Sequence, residues 1–357
     1  MKALQVLGPS TGGIRVHVAT LASGLTALGI DAPVVGPAGV LDGLGPQDGV
    51  VPVPAGLSPV GLLRARTALH PWRDTSDVIH AHGLKAGWAV VDGRPRRPVV
   101  ITLHNVVLDS AGRMARLQRT LERAVVRRAD RVIAPTAAIA DGLDGMVRPD
   151  RIRVVVPASP VPRAGRSRAE VRAALGLSDD TPLVLSVARL HPQKDLPTLL
   201  RAWRRVADAV PRARLVVVGD GPDRDALTAL SRELGVQGSV TLAGFGAHAV
   251  DQIAAADVFA LTSVWEAIPL VLAEAMQLGI PVVTTDVGLA GELLGDGRGG
   301  AVVPVGDDRQ VAGALVRYLQ DPAAARAAGE AGRTLAGARF DPEVLVRGVL
   351  DVYREVA

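Results

Sequence analysis

Short apolar runs alternate with helical patterns in two successive arrays along this chain, and that alternation limits the fold more than any other feature. In the first half the runs are ALQVL, APVVG, VIHAH, PVVITLH and RVIAPT; in the second they are PLVLSVAR, RLVVVGD, SVTLAG, VFALTS, PVVTTD and AVVPV. Each is followed by a glycine turn or a helical stretch. Strands joined through helices run parallel, with right-handed crossovers. Two such arrays predict an α/β chain of two Rossmann-like domains. At 357 residues, two domains are also the expectation from size. The join falls in the proline-rich VVVPASPVPRAGRSR, Val154 to Arg168, with a hinge near Pro160. It separates 1–160 from 161–338. The stretch FDPEVLVRGVLDVYREVA then predicts a helix within 339–357, begun by Asp341–Pro342. In such sheets ligands sit beyond the C-terminal strand ends, so two facing sheets are expected to frame an interdomain cleft.

Composition narrows the function classes. An apolar fraction of 48% supports large cores, and no apolar run reaches the ~18 residues of a membrane span. The start, MKALQVLGPSTGG, shows no signal-peptide cleavage pattern. Cysteine is absent, which excludes disulfides and thiol chemistry. Cytoplasm is the expected compartment. Only Lys2, Lys85 and Lys194 are lysines among 40 basic residues, so a lysine is an uncommon choice in this chain. Residues 1–160 carry 19 basic against 12 acidic side chains, and the remainder 21 against 24. A basic first half predicts that one lobe alone meets an anionic partner.

The stretch LQVLGPSTGGIRVHVATLASGL, Leu4 to Leu25, places a glycine cluster between an apolar run and a helix, a layout that offers backbone N–H groups to phosphate. It is not a P-loop: Gly8 and Gly13 are followed by Ile14 and Arg15, where Lys and Ser/Thr are required. It is not a dinucleotide fingerprint either, since Gly8, Gly12 and Gly13 do not fit that spacing and Asp31 opens the next run instead of closing it. A plain tight turn between strand and helix reads the same way.

In SVARLHPQKDLPTLLRAW, Arg189 ends a strand and Lys194 follows five residues later, just before a helix. A forked cation and a point cation over a helix N-terminus suit a diphosphate, although a solvated loop also carries such charges. VVVGDGPDRDAL predicts strand, Gly219–Pro222 turn and helix, with glycine permitting close approach of a ligand or serving chain reversal alone. Asp223 and Asp225 form a D-x-D pattern, but acids in a first helical turn complement the dipole, and no metal is expected there. In LTSVWEAIPLVLAEAMQLGIPVVTT, Glu266 precedes a helix starting near Pro269, and Glu274 lies inside its apolar run. A carboxylate among Leu, Val, Ala and Met is costly to bury without partners, and sugar hydroxyls are suitable ones; a solvent stripe is the alternative.

With these motifs in this order, the chain resembles the retaining glycosyltransferases of GT-B fold, glycosyltransferase family 4. Glu266 and Glu274, followed by AMQLGIPVVTTDVG, resemble the family signature; SVARLHPQKD, VVGDGP and TLAGF stand in the family's order and spacing, and GPSTGG resembles its N-terminal loop. The resemblance covers nearly the full chain. It implies an acceptor-side first domain, a nucleotide-sugar-binding second domain and a last helix crossing back to the first. Gly12 and Gly13 would donate backbone N–H groups to the distal phosphate. Arg189 and Lys194 would neutralise the diphosphate leaving group. Glu274 would accept bonds from the ribose hydroxyls, and Glu266 would lie beside the donor sugar. Gly219 and the segment at Gly244 and Phe245 would flank the nucleotide, and the backbone at Ile268 and Leu270 would line its pocket. His104, in ITLHN, matches a histidine near the reacting sugar, and a structural donor at a strand end is the other reading of it. His80 and His82 would line the cleft as well or serve structure alone, and the structural reading is favoured.

The resemblance implies transfer of a hexose from a UDP- or GDP-sugar with retained configuration, without a metal ion or other cofactor. Breaking the bond to diphosphate builds positive charge on the sugar ring and negative charge on the leaving group; Arg189, Lys194 and a helix N-terminus stabilise the latter. Same-face attack needs no carboxylate nucleophile, so Glu266 is not assigned that role. Two departures stand out. Ala267, Ile268 and Pro269 replace the usual Gly-Phe-Gly, and Pro269 has no N–H, so the sugar pocket is expected to differ. The Asn-Gly turn common near the hinge is replaced by VPASP.

GRMARLQRTLERAVVRRADR, Gly112 to Arg131, places Arg113, Arg116, Arg119, Arg123, Arg127 and Arg131 on one side of a helix at ~100° per residue. Such a face suits an anionic membrane or a phosphorylated acceptor, and a solvated surface looks the same. A lipid or lipid-linked acceptor on the inner face of a membrane is the expectation drawn from it. Nucleic acid is not expected, since aromatics are 3% of the chain and none interleave with these arginines. A GT-B nucleotide-sugar 2-epimerase and a non-catalytic two-lobed sugar-binding protein are the competing readings, and the Arg189–Lys194 pair argues against the last.

Overall fold

The computed structural model describes residues 1–10, 13–42, 49–56, 58–91, 97–104, 120, 122–159, 161–245 and 249–357. The chain divides into two compact units: Met1–Pro160 with Phe340–Ala357, and Val161–Arg339.

The first unit is built on a parallel sheet of β1 (Ala3–Leu7), β2 (Val34–Gly36), β3 (Gly49–Val50), β4 (Val78–His82), β5 (Val99–Thr102), β6 (Arg131–Ala134) and β7 (Ile152–Val154), in the spatial order β3-β2-β1-β4-β5-β6-β7. β1, β4 and β5 are buried along their whole length, as expected of inner parallel strands covered on both faces. The helix Gly13–Ala27 follows β1 and buries His17, Val18, Leu21, Ala22 and Leu25. The helix Pro342–Arg354 packs against it in the same core, through Leu345, Val346, Val349 and Tyr353. Asp341 caps that helix by accepting from Glu343 N at 2.8 Å, with Pro342 in its first turn.

The second unit holds β8 (Leu183–Val187), β9 (Arg214–Val218), β10 (Val240–Gly244), β11 (Val258–Leu261), β12 (Val282–Thr285) and β13 (Gly300–Val303), all parallel, in the order β10-β9-β8-β11-β12-β13. Both units therefore place the first and fourth strands of their own series side by side at the centre. There the strand order reverses, and the crevice beyond the C-terminal strand ends is where this topology takes ligands. Helices Leu196–Ala209 and Asp308–Gln320 pack together over one core, with Trp203 fully buried and its indole N–H donating to Ser239 Oγ at 3.0 Å. Arg172 is also fully buried. Its guanidinium donates to the carbonyls of Ala255, Ser178 and Thr181 and to Asp257 Oδ2, at 2.6–3.2 Å, so each buried nitrogen is paired.

Two strands escape the sequence pattern. β3 and β7 are short edge strands of two and three residues, too short to show an apolar run. The arginine-rich helix needs correcting at its C-terminal end. Arg131 is not on that helix but opens β6, paired beside Val100, and donates to Glu355 at 2.7 Å. The helical pattern ends before it, because Asp130 turns the chain and accepts from Val99 N at 2.8 Å. Arg123 and Arg127 are exposed. Arg113, Arg116 and Arg119 lie outside the described residues.

Candidate functional site

In the second unit the charged residues gather at the strand-order reversal, where the loops after β8 and β11 lie side by side. Lys194 Nζ donates to Glu266 Oε1 in an ion pair, and Ser263 Oγ donates to the same oxygen at 2.8 Å. The Lys194 and Glu266 side chains are 15% and 10% exposed, so the pair is sheltered but reachable. Several bonds bind the two loops. Val264 N donates to Gln193 O at 2.9 Å, Gln193 Nε2 to Trp265 O at 2.9 Å, and Thr262 Oγ1 to the carbonyls of Lys194 and Asp195 at 3.1 and 3.0 Å. Arg189 is exposed and reaches Gln193 Oε1 at 3.5 Å. Asp195, directly after Lys194, is the one non-glycine residue in the left-handed region among the described residues, at φ 41°. It caps the helix Leu196–Ala209, its carboxylate accepting from Thr198 N at 3.4 Å and from Thr198 Oγ1 at 2.6 Å.

The glycine turn after β9 is laced to the same segment. Leu190 N donates to Asp220 O at 3.0 Å and Gly219 N to Gly244 O at 2.8 Å. A Cβ on Gly219 would stand 1.9 Å from the Ala188 carbonyl oxygen, so only glycine fits. Gly244 closes β10 at φ 79°, and the next residue, Phe245, holds its ring 87% exposed. On the other side of Glu266, a Cβ on Gly288 would lie 2.4 Å from the Ala267 carbonyl oxygen. Gly288 thus lets the loop after β12 support the Glu266–Ala267 backbone. Ile268 and Leu270 flank Pro269, which opens the helix Leu270–Gln277 without a side-chain cap. The first amides of a helix lack intrahelical partners, and this helix begins four residues after Glu266. Glu274 is half-buried on it, and burial raises its carboxyl above the usual carboxylate range. It has no hydrogen-bonding or ionic partner among the described residues. Asp223 stands at the N-cap of the helix Arg224–Glu233 and Asp225 in its first turn.

In the first unit the corresponding position is built from neutral rings. His17 projects from the helix after β1, His82 ends β4, and His104 follows β5. The His17 ring centroid is 5.6 Å from that of His82 and 5.0 Å from that of His104; His82 and His104 are stacked at 5.7 Å. Burial lowers all three pKa values, that of His17 to about 4, and neighbouring imidazoles lower those of His82 and His104 further. His80 is held differently. Its Nδ1 meets the Tyr353 hydroxyl and its Nε2 the Thr102 hydroxyl, both at 2.7 Å. Burial, then His17, push its pKa down to about 3. Gly13 is the first residue of the helix after β1, and Gly12 lies outside the described residues.

The structure thus brings Arg189, Lys194 and Glu266 onto two adjoining loops, with Gly219 and Gly244 bonded to each other beside them. Sequence reasoning missed Ser263, Gly288 and His17. A signal existed for His17, which shares the helix stripe of Leu21 and Leu25 at four-residue spacing.

Comparison with known proteins identifies the family. The family model for glycosyl transferases group 1 matches residues 167–335, and that for the glycosyl transferase 4-like domain matches 12–158. A D-inositol 3-phosphate glycosyltransferase of Acidothermus cellulolyticus is 33% identical over 391 residues, spanning 96% of this chain and 86% of its own. One from Segniliparus rotundus is 33% identical over 316 residues, 82% of this chain and 69% of its own. The crystal structure of Anabaena HepE in complex with UDP superimposes with a TM-score of 0.83 at 22% identity, covering 99% of this chain and 100% of that one. Two doubly wound units with these family matches define a glycosyltransferase of GT-B fold, and the chain belongs to family 4. No helix among the described residues is long and apolar enough to cross a membrane.

Proposed function

We propose that this glycosyltransferase moves a hexose from a nucleoside-diphosphate sugar, UDP-linked in preference to GDP-linked, to an anionic lipid or lipid-linked acceptor, with retention of configuration. The observation that carries the reading is the Lys194–Glu266–Ser263 cluster beside Arg189 at the strand-order reversal of the second unit. Lys194 spends one of its three N–H donors on Glu266, and the others are free for phosphate oxygens. As the C1–O bond breaks, its electron pair passes to the β-phosphate oxygen, and Lys194 and Arg189 stabilise the charge that develops there. These cations do the work that a divalent ion does elsewhere, so no metal is assigned to the diphosphate. The acceptor oxygen attacks C1 from the face that the phosphate leaves, and its proton passes to that phosphate oxygen.

Glu266, oriented by Ser263 and Lys194, accepts from a donor-sugar hydroxyl. Glu274 accepts from the ribose, which supplies the partner its half-buried carboxyl lacks. Phe245, with its ring free, stacks on the base, and the amides near Ile268 and Leu270 line the sugar. Residues 161–338 are the donor-holding part. Residues 1–160, with the helix in 339–357, are the acceptor side, where Gly12 and Gly13 offer amides to the distal phosphate and His104 orients a reacting hydroxyl. The preference for uridine is supported by HepE, whose structures hold UDP and UDP-glucose. An anionic acceptor is supported by the exposed Arg123 and Arg127 and by relatives that act on inositol 3-phosphate. The same arginines would serve attachment to the inner face of a membrane from the cytoplasm.

A donor screen scoring hydrolysis of UDP-, GDP-, ADP- and dTDP-sugars tests the reading, with the anomer of the product read by NMR. Release of UDP with an α-configured product from an α-linked donor is expected. Calorimetric binding of free hexoses alone, with no affinity for UDP or GDP, would overturn it. Arg123→Glu with Arg127→Glu should weaken sedimentation with anionic vesicles, each charge near the surface contributing about 1 kcal/mol. Unchanged sedimentation removes the membrane part.

A further inference from the structure

Between the helices of the first unit lies a cavity that the transfer chemistry does not use. It has a volume of about 180 Å³ and is open on one side. Leu62 and Arg66 reach it from the helix Pro59–Thr75, Trp88 from the helix Leu84–Val90, and Ala124 and Val125 from the helical residues 122–126. Val91 adds to its apolar wall, and the exposed Arg128 lines it as well. Gly87 permits this packing. A Cβ there would stand 2.7 Å from Val125 Cγ1, so any side chain would push the two segments apart.

The polar atoms of this cavity are donors without acceptors. Arg66 Nη2 donates to Trp88 O and Val91 O, both at 3.1 Å, which fixes the guanidinium over the end of the helix Leu84–Val90. Its Nε is buried and makes no hydrogen bond, and neither does the buried indole Nε1 of Trp88. Unmade bonds on buried donors are costly, and an acceptor oxygen in the cavity relieves them. Arg128 Nη1 donates to Ala124 O at 3.1 Å, and neither arginine has an ionic partner among the described residues. Arg131 and Arg153 show the structural alternative, since both are paired with Glu355. Two guanidinium groups without a carboxylate suit a phosphate. The remaining lining is apolar, so the anion must carry hydrocarbon. The volume is close to the ~150 Å³ of an apolar cavity that takes up benzene, which leaves room for about six carbons. That is too short for a whole acyl chain, so the rest of such a chain must stay in a bilayer. The surroundings fit that source. Leu63, a turn before Arg66, is 66% exposed, and the exposed Arg127 precedes Arg128, a mixture of apolar and cationic groups suited to a lipid surface.

We propose that this cavity captures one anionic phospholipid from a membrane, with the phosphate held by Arg66 and Arg128 and part of one acyl chain lying against Leu62, Val91 and Val125. The Trp88 indole N–H donates to an ester oxygen of the same lipid, as befits an amphipathic ring at an interface. The inference rests on the membrane attachment proposed for Arg123 and Arg127 and adds what attachment lacks. Surface arginines adsorb to the charge of a leaflet, whereas here a chain leaves the bilayer and touches Trp88.

The test uses the full chain and vesicles of phosphatidylcholine, with or without phosphatidylglycerol whose acyl chains are brominated. Bromine quenches indole emission on contact. Quenching is expected with the brominated anionic lipid, is lost in Trp88→Phe and persists in Trp72→Phe. Ala124→Phe, which fills the cavity, should lower affinity for these vesicles about tenfold. Circular dichroism of each variant checks that the fold persists. A wild-type chain that sediments with anionic vesicles but shows no bromine quenching overturns the capture and leaves surface attachment standing, and this reading needs no variant and no sugar donor. Quenching that persists in folded Trp88→Phe also overturns it, as does equal affinity for phosphatidylcholine alone. Binding of free hexanoate without any vesicle affinity would assign the cavity to a soluble acid and overturn the membrane source.

Discussion

The two units share a strand order and a location for their polar clusters but build them from opposite chemistry. In the second, cation and carboxylate are paired, Lys194 with Glu266. In the first, four imidazoles are buried together and kept uncharged. The same topology thus supplies a crevice without dictating what fills it. A charged cluster must satisfy itself by pairing, and so remains ready to exchange a partner for a ligand. A neutral cluster tolerates unmade bonds at lower cost, but only over the pH range in which it stays neutral.

Acid should expose that contrast most strongly. His17 and His80 have folded pKa values of about 4 and about 3, against 6.5 when unfolded. Below pH 6.5 the unfolded chain takes up protons that the folded chain does not, so stability present above that pH is lost as pH falls toward 4. Each histidine contributes at most about 1.4 kcal/mol per pH unit, and the two together about 3 kcal/mol between pH 6.5 and 5. Urea midpoints measured across that range check this; a flat profile would erase the distinction between the units. Next in size, Lys194→Ala should lower turnover about 10²–10³-fold with an unchanged melting temperature, since it removes one stabilising donor from the leaving group. Wild-type turnover in that variant would show the second cluster to be structural. Arg172→Ala takes the buried donor from the Ser178 and Thr181 carbonyls, while Asp257 keeps Arg168 and Leu183 N, and should cost about 2 kcal/mol, seen as a lower urea midpoint. The smallest effect is expected of Phe245→Ala, which should weaken UDP binding by about 1 kcal/mol through lost stacking and leave stability untouched, as the ring is 87% exposed.

How far the molecule was legible in its sequence follows the range of the interactions. Inner strands such as β9 (Leu215–Val218) and β11 are continuous apolar runs because both faces are covered, and composition alone reveals them. Lys194 stood out by scarcity, and Glu266 and Glu274 by their apolar surroundings. Edge strands β3 and β7 are too short to carry a pattern. Arg131 kept the helical spacing of its neighbours after the chain had turned into β6, because periodicity does not register a stop made by Asp130 and Val99. The triad of His17, His82 and His104 spans segments 65 and 22 residues apart, and only the order of β1, β4 and β5 makes them neighbours. Ser263 and Gly288 act through bonds and clearances that local sequence does not encode.

The first core is completed by Leu345, Val346, Val349 and Tyr353, which the ribosome delivers only after all of the second unit. Ordinarily the earlier domain folds first during synthesis. Here Gln5 and His80 must wait for the Tyr353 hydroxyl, so the earliest-made strands spend most of translation unfinished, and the later-made unit is the one free to reach its native state first.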